Sequence, residues 1–395
     1  MESSTNEGQA EQPEGKIINL RHLFDYLEQV KDKRQRRGKR YSLELILVLF
    51  ILAKLCGQNK IYGIADWVQQ QSEYIIGALG LKYKRLPHHS TYRRVLADEV
   101  VGEDLEQVVA EYLAQLPQHG QDMVIAIDGK TVRGTISTND PFGLHLLAAY
   151  LPGEGIVLMQ MIVERDKENE IVVAPTLLEC LDLRHKVVIG DAMHTQRKLS
   201  IQIVAAGGDF VWVVKDNQAN TRQAIKQLFA PEHPRPGFGC PATDFRSYKT
   251  TEKQAGRIEE RTLTTSSLLN DYLDWPHLGQ VFKLERRVTC LSTGLVDTET
   301  QYGLTSLTAQ KADPKRLLTI VRSEWGIENG LHYRRDVTYQ EDQTRMTAKP
   351  MARVMATINN LVISLINHQG YHNHAHARRV FNACPAKALA LISGL

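Results

Sequence analysis

The sequence predicts an α/β protein with a small helical domain ahead of its sheet. Three observations carry this. From residue 121 onward, short runs of β-branched and aliphatic residues alternate with helix-period segments, as in a sheet of at least partly parallel order. Residues 41–115 carry helical periodicity alone. Residues 237–307 switch to short strands and turns, the pattern of an all-β insertion. The length, 395 residues, exceeds one ordinary core and allows two or three domains.

The start, MESSTNEGQAEQPEGK, is polar, and residues 1–40 read as a disordered basic segment. Within it, KDKRQRRGKR (31–40) holds seven Lys or Arg against one Asp. Such a block serves equally as a solvated face or as a set of phosphate contacts. The longest apolar run, LILVLFILA (45–53), is far short of the ~20 residues that span a bilayer, so it predicts a buried helix. That helix opens at Ser42-x-Glu44 and stops at Gly57. LPHHSTYRRVL places a turn before a helix bearing Arg93 and Arg94, which makes 41–115 a candidate DNA-binding domain.

DMVIAIDG, HLLAAYLPGEGIVLMQMIVERD, HKVVIGDA and DFVWVVKDNQ read as strands. EIVVAPTLLECLDL and RKLSIQIVAAGG read as helices. Helices return at DPKRLLTIVRSEWGIENGLHYRR, started by Asp313 before Pro314, and at PMARVMATINNLVISLINHQ. Residues 371–395 read as a C-terminal tail. The histidines of HNHAHARR (372–379) alternate by two, which scatters them around a helix and argues against a metal site.

The composition, 43% hydrophobic and 24% charged with a net charge of +3, is that of a globular protein. Cys56, Cys180, Cys240, Cys290 and Cys384 show no CxxC spacing and read as reduced and structural, which suggests the cytoplasm.

Two apolar strands are expected to end on a carboxylate: VIAID on Asp128 and KVVIGD on Asp191. Ligands of open α/β sheets sit beyond the carboxyl ends of the strands. One such Asp is commonly an Asx turn. Two, followed by Lys130 and His194, point to a site. Neighbouring carboxylates repel unless a cation neutralises them, and a divalent cation with oxygen ligands is the simplest neutraliser. A third acid comes from RSEWGIENGLHYRRD, where Glu324, Glu328, His332 and Asp336 fall at successive steps of four on one helical face.

IAIDGKTVRGT, KENEIVVAPTLL, VVIGDAMHTQ, VVKDNQ and RSEWGIENGLHYRRDVTYQED, in this order over roughly residues 40–370, resemble bacterial insertion-sequence transposases of the DDE type, nearest the H-repeat-associated branch. The resemblance implies an RNase H-like catalytic core over 120–370, with the all-β insertion at about 237–307. It implies catalytic and metal-holding roles for Asp128, Asp191 and Glu328. One departure stands out. The wider superfamily has a Y-x2-R-x3-E-x6-K signature, whose Tyr, Arg and Lys positions fall here on Val321, Glu324 and Arg335. Arg322 and Trp325 are the candidate substitutes, and Glu324 is a rival third ligand.

The chemistry so implied is two-metal phosphoryl transfer with Mg²⁺ or Mn²⁺, two ions about 3.5–4 Å apart. Transposon-end DNA is hydrolysed, and the 3′-hydroxyl ends are joined to target DNA. Lys130, Arg133, Arg165, Lys167, His194, Lys215, Asn217, Gln218, Arg322, Trp325, His332 and Arg335 are the candidate DNA contacts. The expected partners are double-stranded DNA and a second copy of the chain, with no membrane, in the bacterial cytoplasm at the nucleoid. Two rivals are a stand-alone RNase H-like nuclease and a catalytically silent, domesticated DNA-binding protein.

Overall fold

The computed structural model describes residues 21–35, 39–116, 123–138, 140–164, 168–230, 244–344 and 346–393. The chain enters through α1 (Arg21–Leu27), whose Leu23 and Leu27, four residues apart, are fully buried. An i, i+4 apolar pair gives a short helix a face to bury, so the expectation of disorder fails over this part of 1–40. Residues 1–20 and 36–38 lie outside the described residues. In the basic block, Arg34 is buried and bonded to Asp32 rather than solvated.

Next come α2 (Leu43–Leu55), α3 (Ile61–Gln70), α4 (Ser72–Ala78), α5 (His89–Arg94) and α6 (Gly102–Ala114). α2 is apolar all round and buried at every residue but Glu44, as a helix without a polar face must be. Gly57 follows it at φ +98°, a left-handed stop open chiefly to glycine. Arg93 and Arg94 are exposed on α5.

The sheet begins with β1 (Val124–Val132), β2 (Leu144–Leu151) and β3 (Ile156–Val163), an antiparallel meander. After α7 (Glu170–Glu179) comes β4 (Val187–Gly190), and after α8 (Arg197–Ala205) comes β5 (Asp209–Val214). Both strands join in parallel, β4 beside β1 and β5 beside β4. α9 (Ala219–Leu228) leads to β6 (Arg246–Gln254), β7 (Arg257–Ser266), β8 (Gln280–Cys290) and β9 (Val296–Thr305). These four antiparallel strands extend the same sheet, because β9 pairs with β5. The order across the nine described strands is β3-β2-β1-β4-β5-β9-β8-β7-β6.

α10 (Pro314–Ser323) and the single turn α11 (Trp325–Ile327) follow, then π-helical turns at Glu328–His332 and Arg334–Thr338. The even four-residue helical face expected across 324–336 is therefore broken, since a π turn adds a residue per turn. The chain closes with α12 (Lys349–His368), α13 (His374–Ala383) and α14 (Pro385–Ser393). α12 is the spine between sheet and helices. It packs on α2, α6, β2, β3 and α13. Gln160 on β3 donates to Glu106 on α6 and to Thr357 on α12, and Asn360 donates back to Gln160. The expected C-terminal tail is instead two helices. Phe381, Ala388, Leu389 and Ile392 are buried, with α14 against α1 and α2. Chain ends far apart in sequence complete one core, and such a contact leaves no local signal.

α7 and α8 cover one face of the sheet; α6, α10 and α12 cover the other. Among the described residues, no helix is long and apolar enough to cross a membrane. Cys56, Cys180, Cys290 and Cys384 are free thiols.

Candidate active site

β1 does not end at Asp128. It runs on to Val132, held by antiparallel pairing with β2, in which Asp128 is opposite Ala148. What stops is the other neighbour. The parallel pairing of β1 with β4 ends at Ile127↔Gly190. Asp128 and Asp191 therefore occupy the next position on two adjacent parallel strands, which lie about 4.8 Å apart. Successive residues of a strand face opposite sides, so a shared register also gives a shared face.

Each aspartate is held by its own backbone. Gly129 N–H donates to Asp128 Oδ1 at 2.9 Å, and Ala192 N–H donates to Asp191 Oδ1 at 2.5 Å. Each also meets a basic group: His332 Nε2 lies 3.2 Å from Asp128 Oδ2, and Lys215 Nζ lies 3.2 Å from Asp191 Oδ1.

The segment after α10 lies over β1 because its glycines permit close approach. A Cβ at Gly326 would come within 2.6 Å of Pro152, and one at Gly330 within 2.4 Å of the Tyr150 hydroxyl. This brings up the remaining acids. Glu324 is half-buried. Burial, then the charges of Asp191, Asp128 and Glu328, push its carboxyl up to about 7, against the opposing pull of Lys215. Glu328 is exposed. Four carboxylates thus form one electrostatic unit, with Glu324 its most frustrated member.

The other expected contacts divide into groups. Lys215 and Trp325, the latter 58% exposed, stand open beside the acids, with Arg286 over the Trp325 ring. Arg133 is exposed on the adjoining turn, where its backbone N–H meets Asp342. Lys130 is buried against Asp336 at 2.7 Å. Arg322 is bonded to Glu252, and the side chains of Asn217 and Gln218 donate to the carbonyls of Ala192 and Thr195.

Two side chains are turned inward. His194 is fully buried beside Glu170, and Arg335 is fully buried against Glu341 at 2.7 Å. Neither offers a surface to DNA, contrary to expectation, because the first faces the interior beside Glu170 and the second is held in a π turn by Glu341, itself bonded to Asn359 of α12. Arg165 and Lys167 lie outside the described residues. The sequence reading missed His145; it set Glu170, with Asn169, in VERDKENE near a strand end, where the family resemblance favours a role and a plain turn is the alternative. His145 and Glu170 form a buried pair at 2.8 Å under β1; the only local signal is a Glu opening an apolar helix.

A divalent cation suits this donor set. The acids offer hard oxygen ligands, and the Glu324 carboxyl is raised first by burial and then by repulsion from its neighbours, the second of which a cation would relieve. Among the described residues, no three His, Cys, Asp or Glu side chains already converge as a cage. Lys215 and His332 stand where positive charge is wanted.

The chain is similar to known proteins. The Transposase DDE domain family matches residues 119–365, and the DDE_Tnp_1-associated family matches residues 24–113. "Putative transposase YncI" of Escherichia coli O157:H7 is 26% identical, over 88% of this chain and 88% of its own. "H repeat-associated putative transposase YhhI" of Escherichia coli K12 is also 26% identical, over 88% of this chain and 91% of its own. A piggyBac transposase in a synaptic complex with hairpin DNA overlaps at a TM-score of 0.43 and 12% identity, over 93% of this chain and 75% of that one. Family match and relatives together carry the assignment: the chain belongs to the Transposase DDE domain family, as a bacterial insertion-sequence transposase of the H-repeat branch.

Proposed function

We propose that the protein cleaves transposon-end DNA and joins the freed 3′-hydroxyl ends to target DNA, with Asp128, Asp191 and Glu328 holding two Mg²⁺ or Mn²⁺ ions. The observation that carries this is the register of β1 and β4, which sets Asp128 and Asp191 side by side on one face. The strand order β3-β2-β1-β4-β5, with β1–β3 antiparallel and β4 and β5 parallel to β1, supports an RNase H-like core. In that reading β6–β9 are the all-β insertion and 41–115 is a DNA-binding domain, acting on double-stranded DNA as a homodimer.

When bound, two such ions activate the attacking oxygen and stabilise the leaving oxygen of an in-line displacement. The chain's own residues do the rest. Asp128 and Asp191, fixed by neighbouring backbone N–H groups, would hold the ions. Lys215 gives up Asp191 to meet a phosphate oxygen, and His332 does the same beside Asp128. Glu324, coupled to both aspartates, shares the load with Glu328. Arg133 and Trp325 meet the DNA flanking the scissile phosphate.

The test is Mg²⁺-dependent cleavage of DNA carrying the element's own ends, wild type beside Asp128→Ala. Cleavage lost in the variant, with DNA binding kept, is the expected result. Binding without cleavage by the wild type, with Mg²⁺ or Mn²⁺, would sink the enzyme reading and leave a silent DNA-binding protein.

A further inference from the structure

A buried titratable cluster outside the acid row lies on the opposite face of β1. Asp128 and Lys130 face the segment at 328–338, where they meet His332 and Asp336. Gly129 and Thr131 face the other way. There Thr131 Oγ1 lies 2.8 Å from His145 Nδ1, and His145 Nε2 lies 2.8 Å from Glu170 Oε1. Glu170 Oε2 in turn lies 3.3 Å from His194 Nε2. His145, Glu170 and His194 are all buried. Burial alone would raise the Glu170 carboxyl, but its contacts with His145 and His194 hold it down at about 2. It is an anion inside the fold, kept there by two imidazoles.

What this cluster touches gives it meaning. A Cβ at Gly129 would stand 2.1 Å from Glu170 Oε1, and a Cβ at Gly190 would stand 3.1 Å from His194 Cδ2. Gly129 follows Asp128, and Gly190 precedes Asp191. The cluster therefore bears on each strand at the residue next to its aspartate, from behind, through glycines that let it come close. Apolar side chains could fill the same space. The hydrogen bonds from Thr131 through His145 to Glu170, anchored in β1, β2 and α7, also fix direction, because each has one preferred geometry, and His194 closes on Glu170 from the turn after β4 at 3.3 Å.

We propose that His145, Glu170 and His194 form a positioning bracket that sets the spacing of Asp128 and Asp191, and through it the affinity for divalent cations, without touching cation or DNA. The inference rests on reading the acid row as a divalent-cation site.

The test is a Mn²⁺ titration of the full chain without DNA, followed by electron paramagnetic resonance, with thermal melting and end-DNA binding in EDTA alongside. Removal of an outer partner that orients ligands costs about 10–100-fold in metal affinity, and that loss is expected for Glu170→Ala, with DNA binding unchanged. Glu170→Gln keeps the shape and is expected to stay nearer wild type than Glu170→Ala. Gly129→Ala, which presses a methyl group into Glu170, reaches the same loss from the strand side.

A folded Glu170→Ala with wild-type Mn²⁺ affinity overturns the bracket. So does a Glu170→Gln that loses as much as Glu170→Ala, since charge rather than placement would then act. If Glu170→Ala and Gly129→Ala both lose cooperative melting, the cluster is a general element of the fold and the specific role falls. A wild type that binds no Mn²⁺ removes the cation-site reading itself and the bracket with it.

Discussion

Two charged regions share the segment that follows α10, and they are built on opposite terms. In one, Arg335 and Glu341 are fully buried and paired, and Asn359 donates to the remaining Glu341 oxygen at 2.8 Å. Arg335 and then Asn359 hold the Glu341 carboxyl below its usual range, against the burial that would raise it. In the other, Asp128, Asp191, Glu324 and Glu328 crowd one another, and the Glu324 carboxyl is pushed up. The first region is closed and its charges answer each other. The second is open, and its charges wait for something. Structural charge is matched within the fold; four acids answered by only Lys215 and His332 at the end of a strand pair mark the place where a ligand is to complete the balance.

The sharpest way to break the contrast is to remove acids from the open region. Asp128→Ala and Asp191→Ala should each lower DNA-end cleavage by about a hundred- to a thousandfold, the range for losing a group that stabilises developing charge. Each should leave the melting temperature of the metal-free protein nearly unchanged, since each removes one part-exposed ion pair together with its repulsion of Glu324. A large drop in melting would make these aspartates structural.

The converse is Glu341→Ala. It strands a fully buried Arg335, and breaking a buried pair costs about 3–5 kcal/mol. Urea unfolding should show that loss, and an unchanged midpoint would erase the distinction between the two regions.

Glu324→Gln probes the frustration by pH. The folded carboxyl titrates at about 7 against 4.5 for the ordinary group. Its raised value means that the stability tied to its proton is fully present below pH 4.5 and is lost as the pH climbs through 7. The variant should therefore melt higher than wild type at pH 8 without metal, and the gap should close by pH 4.5. A gap that does not change with pH would show that Glu324 is not strained.

The smallest effect is expected from Lys54→Met. Lys54 is fully buried with Nζ on the Met355 sulfur at 3.2 Å. Burial and Arg378, opposed by Glu341, lower its ammonium to about 7. A lowered value makes the charge a liability that grows as the pH falls from 10.5 toward 7. Replacing a buried ion with an apolar residue is neutral or stabilising by roughly 1–4 kcal/mol, and a gain at the low end is expected at neutral pH. A clear loss would mean that Lys54 takes part in the paired network.

The sequence made the alternation of strands and helices legible, because apolar period and glycine punctuation are local. Asp313 caps α10, with its side chain accepting from Arg316 N–H as the Asp–Pro start implies. Asp128 and Asp191 stood out for the same local reason. What local pattern could not give is pairing. The apolar run stops at Asp128, but β2 keeps the strand going to Val132. Gly326 and Gly330 let the segment before and within the π turns lie against Pro152 and Tyr150, contacts across nearly half the chain. Arg335 counted as a DNA contact because a basic residue at that spacing fits a signature; only Glu341 and α12 reveal it as interior.

The pairing Ile127↔Gly190 also limits how this site can change. Side chains along a strand repeat every two residues, so a slip of one residue turns an aspartate to the other face and a slip of two carries it about 6.6 Å along the sheet. No intermediate register lies between. The pairing that puts the two acids side by side is stepped rather than continuous. Descendants of this gene can drift widely in the helices around the sheet and keep the pair whole, but once the register is lost there is no half-measure through which to regain it.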